Sequence, residues 1–449
     1  MSSIIDDTVS KVAPKLRLTA KLMAIGGIVI VLMILSSMIG SLVRERNSRR
    51  DGAVEEMSAK WGSKQTLAGP ILIIPYKEYE KVELPSRILT TIRYAIFLPD
   101  SLEITGDLGT ELRHRGIYEA VLYSGKLGLK GHFSAPDFSK LNINPSDVLF
   151  DKASLSLGIS DLRGIRESVK LRWGKSELPF GPGGSEGFPF ASGIHVKGLP
   201  LKGGSDFNID LSLNGSHGLD FLPLGRQTKV TLRSPWPDPS FDGQFLPVSR
   251  DVSDKGFKAE WQVLELARSF PQSWRENGIT AEVLNASSFG VNLIQTASAY
   301  QQNERGITYA ILFILLTFSA FFLYEVMAGL QLHFLHYSLV GSALVVFYLL
   351  LLSLSEQIGY APAYWIATAA TVGLVGGYCR SVLGKGGRAL LMSAILCVLY
   401  SYLFIVMQLE DLALLMGSVG VFAALATIMW LTRKIDWNRM GESAPAKSK

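Results

Sequence analysis

LMAIGGIVIVLMILSSMIGSLV, residues 22–43, carries no charged side chain over its whole length. About 20 mostly apolar residues in helical form cross a hydrocarbon core about 30 Å thick, so this run is long enough to span a membrane. Five more such runs crowd after residue 306, at 307–330, 334–354, 361–379, 389–409 and 412–432. The first of these is interrupted only by Glu325. Between 44 and 305 no run of this length occurs, and that spacing decides the fold class. The chain reads as an α-helical membrane protein of six transmembrane helices with a large inserted all-β, sandwich-like periplasmic domain. Its segments are a cytoplasmic N-terminus (1–21), a transmembrane signal-anchor helix (22–43), the periplasmic β-rich domain (44–305), a five-helix bundle (306–432) and a cytoplasmic tail (433–449).

A cleavable signal peptide is the alternative reading of the first run, because Lys11, Lys15, Arg17 and Lys21 form a basic leader. The run is longer than a signal core of about 7–15 residues and lacks a small-x-small exit site, so it is read as retained. Orientation follows the Lys and Arg of the short loops. Arg380, Lys385 and Arg388 mark one loop, and Arg433, Lys434, Arg439, Lys447 and Lys449 mark the tail. The links at 355–360 and 408–411 carry neither residue type. Both termini and the 380–388 turn are thereby expected in the cytoplasm, with 44–305 exported. Arg44, Arg46, Arg49 and Arg50 dissent from that assignment.

The net charge of +5 lies in these cytoplasmic segments and leaves the rest of the chain slightly acidic. The basicity therefore faces anionic headgroups, and no basic track for nucleic acid is present. The two cysteines, Cys379 and Cys397, fall in or at the edge of spans. The exported segment has none, which excludes a disulfide framework and a Cys-based zinc site there.

Within 44–305 the dominant signal is period-two alternation, the mark of half-buried strands. Leu127 and Leu129 alternate with Gly128 and Lys130, Leu155 and Leu157 with serines, and Phe207, Ile209, Leu211 and Leu213 with Asn208, Asp210 and Ser212. Val230 and Leu232 continue the pattern between Lys229 and Arg233. An antiparallel sandwich or a pair of packed sheets follows. Two segments depart from it: 45–60 reads as a continued helix, and in 261–270 helix and strand patterns compete. The Gly- and Pro-rich stretch 179–205 reads as a loop, and it lacks the glycine spacing of a phosphate cradle. Pro235, Pro237 and Pro239 stiffen a strip around Trp236 that leads to Phe241. Its aromatics either pack back on the sandwich or form a contact strip.

No G-x-S-x-G elbow, H-E-x-x-H motif or EF-hand loop is present. His114, His132, His195 and His217 are scattered, while His333 and His336 are i, i+3 neighbours without an Asp, Glu or Cys beside them in the turn. No catalytic, cofactor-binding or metal site is assigned, and no cofactor is implied. Ionisable groups at membrane depth are functional candidates by default. Glu325 is the one placed inside a span, with Tyr324, His333 and Tyr337 near it in sequence. Glu356, Glu410 and Asp411 are expected at span ends.

Long irregular motifs carry a resemblance over nearly the whole chain. They include Gly69-Pro70-Ile71-Leu72-Ile73-Ile74-Pro75, then Trp236-Pro237-Asp238-Pro239-Ser240-Phe241 leading to Phe245-Leu246-Pro247, and Gly256-Phe257 with Trp261. In the bundle they include Tyr309-Ala310-Ile311-Leu312 with Thr317-Phe318, 347–356, Gln408-Leu409-Glu410-Asp411 and 432–437. The chain resembles the CreD family of bacterial inner-membrane proteins. The resemblance implies a role in cell-envelope integrity, including colicin tolerance and β-lactam response, commonly under the CreBC two-component system. It supplies no catalytic residues. The expected function is non-enzymatic, with the lipid bilayer as one partner and an envelope protein or cell-wall component as another. The alternatives are a transporter or channel using the helical bundle, and an exported hydrolase acting on envelope polymers.

Overall fold

The computed structural model describes residues 2–83, 86–201, 203–294, 299–328, 330, 332–383, 386–409 and 412–433, with side chains outside 2–18, 80–83, 86–88, 383 and 413. The chain divides into two units, 1–50 with 297–449, and 51–296.

The 51–296 unit is built on two sheets. One, of nine strands among the described residues, follows the path β13 (Pro239–Gly243), β17 (Phe289–Leu293), β11 (Gly218–Phe221), β1 (Gln65–Glu83), β5 (Ser154–Ile159), β9 (Gly193–Lys197) and β8 (Gly181–Pro182). From β1 it branches through β2 (Ser86–Phe97) to β16 (Ser273–Arg275). The other, of eight described strands, runs β14 (Ser249–Ser253), β15 (Gly256–Leu264), β12 (Gln227–Ser234), β3 (Ser101–Arg115), β4 (Tyr118–Phe133), β10 (Ser205–Ser216), β6 (Lys170–Trp173) and β7 (Ser176–Pro179). At each flank the chain steps from one sheet's edge to the other's, by β7 to β8 and by β13 to β14. Most pairings are antiparallel, but β1 runs parallel to β11 and β3 parallel to β12, so the sandwich is mixed rather than purely antiparallel.

Successive side chains on a strand point to opposite faces, and the apolar residues of the alternating runs all turn inward. Trp261, Val230, Ile104, Leu129, Ile209 and Leu171 form one row in register across six strands of the second sheet, and all are fully buried. With Leu72, Ile74, Leu155, Phe289 and Val291 of the first sheet they make one core. The outer face of the first sheet is covered as well, by Leu222, Leu224, Phe270 and Leu284, the last on the short helix α2 (Ala281–Asn285). This explains why Ser154 and Ser156 are buried although they alternate with leucines on β5. Their hydroxyls bond Ile73 O and Ser185 Oγ.

Two sequence expectations change. The stretch 179–205 is not all loop, because Ile194 and Val196 reach the core from β9, paired to β5. In 261–270 the strand wins to Leu264, since Trp261 and Val263 face the core, and a 3₁₀ turn at Glu265–Ala267 follows.

A polar knot ties the start of β1 to the end of β5. Asp161 accepts from the Ser63 and Arg163 amides and from the Arg163 guanidinium at 2.8 and 2.9 Å. Buried Gln65 bonds the carbonyls of Asp161 and Asn214. The guanidinium holds the Asp161 carboxyl down at about 2, from an ordinary 3.8. A depressed carboxyl stabilises the fold above its unfolded pKa and loses that contribution as pH falls through the folded one. Asp161→Ala should therefore cost about 1–2 kcal/mol at neutral pH. In urea titrations of parent and variant at several pH values, the gap should narrow below pH 3.8 and close near pH 2; a gap independent of pH would refute the assignment.

In the other unit, α1 (Ser2–Trp61) runs through the first apolar stretch, of which the part up to residue 50 belongs here. The remaining helices are α3 (Ala299–Thr308), α4 (Ala310–Ala328), α5 (Phe334–Ile358), α6 (Tyr360–Leu383), α7 (Gly386–Gln408) and α8 (Ala413–Thr432). Among the described residues, five helical stretches are long and apolar enough to cross a membrane: Thr19–Trp61, Ala310–Ala328, Phe334–Ile358, Gly386–Gln408 and Leu414–Thr432. The expected span at 361–379 is helical but falls outside this set, because Tyr364, Thr368, Thr371, Gly373, Gly376, Gly377 and Tyr378 dilute its apolarity. Gly359, at φ 79°, ends α5 in the left-handed geometry that favours glycine, so that α6 follows at once. Phe347, Tyr364 and Tyr400 interlock at the centre of the helices, with ring centroids 4.6–5.5 Å apart.

Candidate functional site

Glu325 lies three residues before the end of α4 and is 6% exposed. A carboxylate taken out of water needs donors for its lone pairs, and this one has three. Lys21 Nζ on α1 and the Leu332 amide (2.9 Å) both donate to Oε1, and the Tyr337 hydroxyl donates to Oε2 at 2.7 Å. The Tyr337 ring is held by Phe318 and Phe321 at 5.6 and 6.4 Å, with the Lys21 ammonium 5.7 Å over its face. The cluster joins α1, α4 and α5 through one buried ion pair. Chemically it is an enclosed carboxylate held by three donors, two on Oε1 and one on Oε2.

Of the neighbours suggested by sequence, the structure brings in Tyr337 alone. His333 instead caps α5, accepting from the Leu335 amide at 3.4 Å, and His336 Nδ1 lies 2.6 Å from Tyr378 Oη on α6. The two histidines therefore serve different partners. Lys21 was read only as part of the basic leader. Its signal was present, since a Lys adjoining one span and a lone Glu near the end of another form a charge-balanced pair.

A second polar cluster surrounds the end of α5. Glu356 accepts from Tyr300 Oη at 3.0 Å with Arg46 Nε 3.9 Å away, and buried Asn303 donates to Ser355 Oγ at 2.9 Å. Glu356 is thus paired and mostly enclosed rather than simply solvated. Arg44 lies 4.0 Å from Glu304, and Arg49 pairs with Glu45 at 2.6 Å. Glu410 and Asp411 lie outside the described residues, as do Lys385 and the tail cations from Lys434 onward.

In the β unit the four histidines go separate ways. His114 is 3.4 Å from Glu119, His132 is 2.6 Å from Asp206, and His195 bonds Gly183 O at 2.8 Å. His217 Nε2 lies 3.1 Å from Ser58 Oγ, but Ser58 is 1% exposed and closed to a substrate. Among the described residues no group of three or more His, Cys, Asp or Glu could hold a metal ion. Both cysteines are free.

The proline strip resolves into packing. Trp236 bonds Ile294 O through its indole N–H at 3.0 Å, and Phe241 meets Phe257 and Trp261 at 5.7 Å each. Beyond it the flank is open. Val252 stands opposite buried Phe257 in register, so it shares the inner face, yet it is 46% exposed. Leu246 and Val248, just before β14, are 67% and 69% exposed. Gly256, at φ 122°, turns the β14–β15 hairpin where a Cβ would fall 2.1 Å from Ser234 O.

Long apolar helices carrying an interior ion pair, in one chain with a large β-sandwich unit, define a multi-pass membrane protein. The family model described as "Inner membrane protein CreD" matches residues 17–438. The chain is 33% identical over 423 residues to the inner membrane protein CreD of Escherichia coli (strain K12), covering 93% of each. It belongs to the CreD family of inner membrane proteins.

Proposed function

We propose that this chain is a non-enzymatic envelope protein whose β unit lies in the periplasm and contacts another envelope component, contributing to envelope integrity and to the response to antibiotics and colicins. In this reading α6 is the sixth span, both termini are cytoplasmic, and 44–305 is exported. The Lys and Arg distribution supports the orientation. The dissenting Arg44, Arg46 and Arg49 each have a carboxylate within 4.0 Å, which lowers the cost of carrying them on the exported side.

The observation that carries the reading is the open flank at β14. Among the described residues no strand pairs the outer edge of β14, and with exposed Leu246, Val248 and Val252 this edge offers backbone donors and acceptors beside apolar surface, the combination used in strand addition. Arg250 and Asp251 on the same strand discourage indiscriminate pairing. Val248→Asp should abolish complementation of an envelope-sensitivity phenotype at unchanged abundance, because a charge there is desolvated on docking, while folding loses little at an exposed position. A membrane-impermeant maleimide should label Val248→Cys in cells whose outer membrane has been made permeable. Full complementation by Val248→Asp would remove the flank from the function; labelling only after lysis of the inner membrane would reverse the orientation.

A further inference from the structure

The β unit contains a cleft of about 300 Å³ beside the ends of β1 and β5, walled by Thr66, Ser192, Asn285, Ser288 and Phe190. Among the described residues, no protein group bonds the side-chain hydroxyls of Thr66, Ser192 and Ser288 or the Asn285 amide. Ser160 behaves differently: its hydroxyl is committed to the Thr66 amide and to Lys64 O, and it forms wall rather than site. Four residues with neutral side chains, each able to donate and to accept, therefore line the cleft with those side chains uncommitted to other protein groups, Asn285 at its exposed rim.

Among the described residues, none lining the cleft is ionisable. Nothing in the wall offsets the desolvation of an anion or a cation, so the lining selects a neutral ligand. A ligand that uses donor-acceptor groups on several sides must itself carry several hydroxyls or amides. Phe190, held edge-on by Phe188 at 5.4 Å, adds one flat apolar wall. The volume is at the low end for small-molecule sites, about 300–1,000 Å³, and admits a single ring rather than a chain. The geometry points to a binding site for one neutral pyranose unit, with hydroxyl or acetamido substituents on the Ser192, Asn285 and Ser288 side and its C–H face on Phe190. Its Ser288 wall is tied to the β13–β14 crossing by the Gln244 amide, which donates to Ser288 O at 2.8 Å, and the assignment does not depend on the proposed orientation.

The test is saturation-transfer NMR on the full chain in lipid nanodiscs, which avoids sugar-headed detergents. The probes are N-acetylglucosamine, glucuronic acid and glycerol. N-acetylglucosamine should receive transfer at millimolar concentration, and the charged sugar and the flexible triol should receive little. Ser192→Ala/Asn285→Ala/Ser288→Ala should cut the signal at least fivefold without lowering the melting temperature, since these side chains bond nothing in the fold. Phe190→Leu, which keeps apolar packing and removes the flat wall, should cut it at least threefold. Absence of transfer, transfer unchanged in the triple variant, or equal transfer to glycerol would each overturn the assignment.

Discussion

Lys21→Met is expected to be among the most destabilising single changes in the helical unit, costing about 3–5 kcal/mol, because it strands the Glu325 carboxylate without a counter-charge. Glu325 is 6% exposed, so little of its carboxylate is left to water. The reverse change should cost less. In Glu325→Met the Lys21 ammonium, on a long side chain that is 20% exposed, can extend toward the interface. The double variant Lys21→Met/Glu325→Met should return to within about 1–2 kcal/mol of the parent, since a buried ion pair and an apolar pair of similar volume differ little in net worth. Thermal unfolding of the purified chain in nanodiscs measures all four corners of the cycle. A transporter that used Glu325 in its path would give another pattern: Glu325→Gln would abolish a substrate-dependent phenotype at normal stability, and the double variant would stay inactive. If Lys21→Met is no less stable than Glu325→Met, the asymmetry argument fails and with it the description of a closed structural latch.

The apolar runs and the period-two alternation were legible because each depends on local composition. Strands at 127–130, 155–157, 207–213 and 230–232 all exist, and their leucines and valines face one core. Partner choice was not legible. That β12 runs parallel to β3, across more than a hundred residues of chain, depends on long-range register that alternation alone does not encode. The serines of β5 misled for a related reason, since the covering layer of Leu222, Phe270 and Leu284 comes from distant segments. Glu325 was visible as a lone charge in an apolar run, whereas Lys21 was absorbed into a basic leader whose ordinary role is topological. The four uncommitted side chains of the cleft come from 66, 192, 285 and 288, and only the fold brings them together.

The family-like motif around 236–261 shows how such a signal becomes structure, and it carries the second large effect. Trp236 and Phe241 read as aromatics that either pack back on the sandwich or form a contact strip, while Phe245, Phe257 and Trp261 carry the resemblance. In the fold Trp261 is fully buried and touches Phe241 and Phe289 at 5.7 and 5.9 Å, while Phe245 meets Phe289 at 6.0 Å. These rings plug the flank where the chain crosses from β13 to β14, and so position the exposed edge just outside them. Trp261→Ala would open a large cavity there and should cost about 3–5 kcal/mol, a large part of an ordinary domain stability of about 5–15 kcal/mol. The β-unit transition should fall by roughly 10 °C, at about 2–4 °C per kcal/mol for a domain of this size. Limited proteolysis should then cut within 241–255 well before the rest of the unit, because β13 and β14 are edge strands that lose their inner support. Trp236→Ala, at a half-buried site, should cost much less and leave the cleavage pattern unchanged. Uniform proteolysis in Trp261→Ala, or equal losses from both tryptophans, would mean that the aromatic plug does not set the geometry of the flank, and the proposed docking edge would lose its structural support.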